Sequence, residues 1–255
     1  MNKKTLDTWQ SDRAFFTSGH LKIIACLTMF LSHLAQSDLL YKLGYAKFAD
    51  FSMLIGRVAM PIFCFILVQG AILTRDRKSY LIRLFIFALV SEIPFDLVFS
   101  GQILGFENQF DKQNVIITLF LGASLIIFWD YLNEKLQNKT VNRIIKIGLM
   151  IISFWLIEDI ALRIRSDYHF FAIRAIALLY LARNNKYLTA LAIFIGFYFE
   201  ARVRGYELFI PYIVYLSIPL ILLYNGKRGK YPKYGFYLFY PGHLLLIYFL
   251  KLVLL

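Results

Sequence analysis

The chain has 255 residues, 59% of them hydrophobic and 18% aromatic, with a mean hydropathy of +0.61. A soluble domain sits nearer half apolar, so this composition points to a membrane protein. Net charge is +12 although only 17% of residues are charged. That excludes the broad soluble basic face of a nucleic-acid binder and reads as topology signal together with lipid or ligand phosphates.

The chain opens with a polar stretch, MNKKTLDTWQSDRAFFTSGH, that lacks the short apolar core and small-residue cleavage site of a signal peptide. Residues 1–20 are therefore expected to form a cytoplasmic tail, and 21–255 a single transmembrane domain. A membrane-crossing helix needs roughly 17–25 mostly apolar residues. Such runs lie near 21–38, 52–73, 80–100, 114–131, 142–160, 168–182, 186–201, 206–224 and 236–254. The expected fold is an all-α polytopic membrane protein with about nine (8–10) transmembrane helices around a polar central cavity.

Alternate loops are rich in base. Arg75, Arg77 and Lys78, then Lys135, Lys139 and Arg143, then Arg183 and Lys186, then Lys227, Arg228, Lys230 and Lys233 form one set. The intervening loops hold fewer: Lys42, Lys47, Lys112, Arg163, Arg165, Arg202 and Arg204. Lys3, Lys4 and Arg13 add to the first side. Basic loops stay inside, so the N-terminus is expected in the cytoplasm and, with nine spans, the C-terminus outside.

Several polar residues interrupt the apolar runs, where lipid makes them costly. The first run, LKIIACLTMFLSHLAQ, carries Lys22 and His33, eleven residues apart. At about 100° per residue both project from one helix face, ~16 Å apart along the axis. Arg57, Gln69 and Arg83 follow, and SEIPFD places Glu92 and Asp96 on one face around Pro94. Asn114, Thr118, Glu158, Asp159, Arg163, Arg165, Asp167, Arg174, Glu200, Glu207 and His243 complete the set. They read either as internal ion pairs, such as Arg57 with Glu92 or Asp96, or as the walls of a water-filled cavity. The histidines are too dispersed for a metal-ligand spacing, and Cys26 and Cys64 read as free, buried thiols.

The segments LKIIACLTMFLSH, GRVAMPIFCFILVQGAILTRDRKSYLIRLFIFALVSEIPFD, NVIITLFLG and PLILLYNGKRGKYPKYGFYLFYPGHLLLIYFL resemble the TraX family of bacterial membrane proteins. That resemblance implies acetylation of exported pilin, and kinship with transmembrane acyltransferases that use cytoplasmic coenzyme A donors. Members of the wider group carry a basic residue, ten residues and then a histidine on the first span, which Lys22 and His33 match. By this resemblance His33 is the catalytic base. Family members commonly have Asp before that histidine, whereas this chain has Ser32. The orienting acid is then expected from Glu92 or Asp96, with His243 as a second polar wall. Ser32→Asp is expected to be tolerated, or to raise the rate.

Under the same reading Lys22, Arg57, Arg75, Arg83, Lys227 and Arg228 hold the phosphates of acetyl-CoA, and the Asn225-Gly226 turn folds over the nucleotide. Asn114 and Asp167 face the acceptor, an exported peptide, glycan or lipid. A neutral histidine, with a pKa near 6.5, suits acetyl transfer to an amine or hydroxyl. The location implied is the bacterial cell membrane. A proton-coupled transporter or flippase, or a non-catalytic membrane partner, would use the same buried charges differently.

Overall fold

A computed structural model describes residue 9 and residues 15–100, 112–136, 140–204, 211–231 and 235–255, with the side chains of 201–204 and 211 left aside. Lys3, Lys4, Arg13, Lys139, Glu207 and Lys233 lie outside the described residues, as do the side chains of Arg202 and Arg204.

The described chain is helical. In order it forms α1 (Ser18–Gln36), the short α2 (Leu39–Lys42), α3 (Ala46–Gly56), α4 (Ala59–Leu73), α5 (Arg77–Phe99), α6 (Val115–Lys135) and α7 (Thr140–Arg163). Then come α8 (His169–Ala182), α9 (Lys186–Arg204), a 3-10 turn over Pro211–Leu216, α10 (Ser217–Leu222) and α11 (Gly235–Leu254). Two isolated bridges, Phe16 with Tyr224 and Gln113 with Ser166, are the extended pairings among the described residues.

Most of these helices overlie the apolar runs of the sequence; the 206–224 run lies partly outside the described residues, and its described part is the 3-10 turn and α10. The second run is broken at Arg57 into α3 and α4, which together span Ala46–Leu73. Among the described residues, four helical segments are long and apolar enough to cross a membrane: Ser18–Gln36, Ala46–Leu73, Val115–Lys135 and Gly235–Leu254. The helices α5, α7 and α9 have the length but carry more charge.

Exposed apolar side chains support the membrane reading. On α7, Ile144, Ile147, Ile151, Ile152 and Trp155 all face outward, as do Leu245, Phe249 and Leu252 on α11. Such contiguous apolar surface is unsuited to water.

The first helix shows how the sequence places the site. Thr17 caps it by accepting from the His20 N–H, and His20 returns a contact to the cap backbone. Leu21, Ala25, Cys26, Met29, Ser32 and His33 recur at helical spacing and form its buried stripe. That stripe packs on α3, α4 and α11. At the α1–α3 crossing, a Cβ on Gly56 would sit 2.2 Å from the Ser32 Cβ, so only glycine there allows the two helices to approach.

Candidate functional site

A cavity of about 510 Å³ opens between α1, α4, α5, α11 and the 224–231 loop, within the size range of small-ligand sites. Lys22, Arg83 and Arg228 stand at one end of its wall, and Tyr240 and Val115 at the other. Between them the lining is largely apolar, with Cys26, Met29, Phe63, Ile66 and Leu84 among it.

The basic end is held by backbone. Helix α1 begins with N–H groups that have no intrahelical acceptor. Ser18 N–H donates to the Lys227 carbonyl at 2.9 Å and Gly19 N–H to the Arg228 carbonyl at 3.1 Å. Phe16 N–H meets the Leu223 carbonyl, and Asn225 N–H the Phe16 carbonyl. The Asn225-Gly226 turn, expected as a loop free to fold over a nucleotide, is instead stitched to the start of α1. Gly226 and Gly229 have φ of 74° and 79°, which the turn requires and other residues reach at a cost.

Lys22 is held between two aromatic rings. Its Nζ lies 5.1 Å from the ring centroids of both Tyr231 and Phe236, a cation–π clamp. The Tyr231 hydroxyl pairs with Ser18 Oγ at 2.9 Å. Burial pushes the Tyr231 phenol up, but Ser18, Lys22 and Arg228 more than reverse this, leaving it below the usual tyrosine range. Among the described residues no carboxylate lies within ion-pair distance of Lys22, Arg83 or Arg228.

The histidines sit beyond the other end. His33 Nδ1 lies 2.8 Å from His243 Nε2, with the rings stacked at 13° and centroids 5.1 Å apart. His243 Nδ1 is 2.9 Å from the Phe239 carbonyl, one turn back on α11. A carbonyl only accepts, so His243 Nδ1 carries its proton. With both rings neutral, His243 Nε2 is then an acceptor and takes the Nδ1–H of His33. His33 Nε2 is left with its lone pair and, among the described residues, no hydrogen-bond donor. The pair is thus a directed chain that ends in one available base.

Both histidines are buried, and neither lines the cavity. Tyr240 stands between, its ring edge-on to His33 at 6.0 Å and to His243 at 5.4 Å. Phe99 packs edge-on against the His33 ring at 5.6 Å.

The acid expected to orient His33 is elsewhere. Glu92 accepts from the Asn114 N–H at 3.3 Å and from the Asn114 side-chain amide. Asp96 is half-exposed on α5, and no hydrogen bond joins either acid to His33. The His33 Nδ1 partner is His243, so His243 is the orienting group. The Asp167 carboxylate lies 3.2 Å from Lys112 Nζ.

Asn114 spends its polar groups on structure. It caps α6 by accepting from Ile116 N–H and donates to the Ala88 carbonyl at 2.8 Å. Three of the six residues expected at the donor phosphates line the cavity: Lys22, Arg83 and Arg228. Arg75 and Lys227 are exposed outside it. Arg57 sits at the break between α3 and α4, and forms no ion pair with Glu92 or Asp96. The ion pairs join other residues: Arg77 with Asp130 and Glu134, and Arg174 with Glu158 at 2.6 Å. Cys26 and Cys64 are free and buried, as the sequence implied.

Sequence reasoning missed Tyr240, whose ring is one among 17 tyrosines, and the Phe239 carbonyl, which carries no residue-type signal at all. Gln69 was visible as a polar interruption, but not its place in the cavity wall.

Helices with lipid-facing apolar surfaces, a basic-mouthed cavity and a buried histidine pair define a helical membrane protein with an internal polar site. The chain belongs to the TraX family, whose model, described as TraX protein, matches residues 18–251. It is 26% identical over 255 residues to the "Probable fimbrial assembly protein FimC, serogroup H1" of Dichelobacter nodosus, covering 94% of this chain and 97% of that one. No solved structure matches it.

Proposed function

We propose that the protein is a membrane-embedded acyltransferase that takes acetyl from cytoplasmic acetyl-CoA and delivers it to an exported acceptor. The observation that carries this reading is the directed His33–His243 pair, 2.8 Å apart, lying past the floor of a cavity whose mouth holds Lys22, Arg83 and Arg228. The similarity to a fimbrial assembly protein favours a subunit of an exported fibre as the acceptor. The thioester supplies an activated acetyl group and a leaving thiolate.

The chain's residues divide the remaining work. Lys22, Arg83 and Arg228 bind the phosphates, for which fixed cations not committed to ion pairs are suited. The apolar shaft excludes water from the arm that reaches toward Tyr240. Tyr240 turns aside to bring the reacting carbon to His33. His33 Nε2 removes the proton of the attacking amine or hydroxyl and returns it to the departing sulfur. While His33 holds that proton, His243 Nε2 accepts from its Nδ1–H. The basic mouth lies on the cytoplasmic side, with α1 running outward toward the acceptor, and the further crossings beyond the four most apolar helices are α5 and α7 to α9.

Purified protein in liposomes, given labelled acetyl-CoA and the N-terminal peptide of an exported fimbrial subunit, should transfer label to the peptide. Absence of label on peptide, glycan and lipid acceptors alike would overturn the reading. Proton-coupled movement of a solute under the same conditions would put a transporter in its place.

A further inference from the structure

The apolar shaft of the cavity contains one side chain that its surroundings do not explain. Gln69 on α4 lines the cavity and is only 6% exposed. No hydrogen bond from any described residue reaches its amide. Its neighbours in the wall are Ile66, Leu67 and Leu73. Its amide atoms open onto the cavity rather than being sealed within the protein, so both a donor and an acceptor are presented to whatever occupies the shaft. Nearby, Asn114 is engaged with Glu92 and Ala88 and Thr118 with the Asp167 carbonyl, whereas the Tyr240 hydroxyl at the floor of the same cavity is buried without a hydrogen bond among the described residues.

An amide side chain offers an N–H pair and a carbonyl at once, so its natural complement is another amide. Gln69 stands one turn below the Leu73–Thr74 end of α4, where Tyr80 and Arg83 also line the cavity. Its position is therefore between the basic mouth and the Tyr240 floor. A ligand that fits all three features has an anionic head, a chain bearing a secondary amide, and a reactive end beyond it.

We propose that Gln69 reads a secondary amide in the arm of the donor and so selects an amide-bearing thioester over other anionic molecules. This rests on the donor reading above and adds to it the residue that recognises the arm. The basic mouth binds any phosphorylated adenosine; Gln69 binds only the amide-bearing arm attached to that head.

The test compares two probes by calorimetry on protein in detergent: coenzyme A itself, and adenosine bisphosphate, which has the head without the arm. Wild type should bind coenzyme A more tightly than the head alone. Gln69→Leu, near-isosteric and apolar, should weaken coenzyme A about tenfold while leaving the head unchanged. Gln69→Asn, which keeps the amide but is one methylene shorter, should recover part of the loss. Unchanged coenzyme A affinity in Gln69→Leu, or an equal loss for both probes, would overturn the role of Gln69 and leave the donor reading standing. Failure of wild type to bind either probe would overturn the donor reading itself, and this inference with it.

Discussion

The two sides of the bundle treat charge in opposite ways. On the α6–α8 side bases meet acids: Arg77 spans Asp130 and Glu134 at the ends of α5 and α6, and Arg174 on α8 grips buried Glu158 on α7. Around the α1–α11 cavity Lys22 lies on two aromatic rings, and Arg83 and Arg228 line the void without forming an ion pair among the described residues. His33 likewise meets another histidine rather than an acid. A buried ion pair offsets its own desolvation and is finished. A base held by rings and backbone carbonyls still has charge to offer a ligand. The contrast separates polar residues that lock helices together from those that await a partner, which composition alone cannot do.

The sharpest break of this comparison is at the histidine pair. His33→Gln keeps a polar side chain beside His243 but removes the base. If the open side carries the chemistry, transfer should fall by about 10²–10⁴, or about 3–5 kcal/mol of transition-state stabilisation. Coenzyme A affinity by calorimetry should stay within about twofold, since neither histidine lines the cavity. Turnover near the wild-type rate would strip the pair of its proposed role.

On the closed side the expected loss is stability. Arg174→Ala strands Glu158, whose side chain is 6% exposed, against 42% for the arginine. Breaking such a pair costs about 2–3 kcal/mol, the arginine's exposure taking the value below that of a fully buried pair. Thermal unfolding in detergent should show it, with transfer per folded molecule unchanged. A fall in specific transfer without a fall in stability would move Arg174 to the functional side of the division.

Lys22→Ala tests the mouth. Losing one fixed cation against phosphate should weaken coenzyme A about tenfold, roughly 1.4 kcal/mol, and reduce the salt dependence of binding. Arg75→Ala, at an exposed position outside the cavity, should change affinity less than about twofold. Equal effects from the two would mean that the basic excess acts only as a diffuse field.

The helices were legible because lipid demands long apolar runs, and Lys22 and His33 stood out because such runs exclude charge. Their partners were not legible. Four-residue spacing put Glu92 and Asp96 on one face of α5, but the rotation of α5 in the bundle turns Glu92 toward Asn114 at the start of α6. The residue that meets His33 comes from 210 positions away, a contact fixed by how α1 and α11 pack. Loop lysines showed the same limit. Lys227 and Arg228 are adjacent in sequence and both give their carbonyls to the start of α1, yet only Arg228 lines the cavity.

Ser32 gives the smallest and most discriminating test. The resemblance to the TraX family suggests an acid at this position, and from sequence alone Ser32→Asp should be harmless or helpful. The structure sets a different expectation. Ser32 is 8% exposed, its Oγ accepts from the Gln36 side chain at 2.8 Å, and its Cβ lies where Gly56 leaves no room to spare. An aspartate here adds bulk and charge at the α1–α3 crossing, on the side of α1 that faces Gly56, while His33 Nδ1 already has its partner in His243. Overpacking should cost about 1–2 kcal/mol, read as a lowered unfolding temperature, and transfer per folded molecule should not rise. A faster Ser32→Asp enzyme of normal stability would mean that His33 lacks the acid it needs, and that the acid-free side of the bundle is an impoverished site rather than an open one.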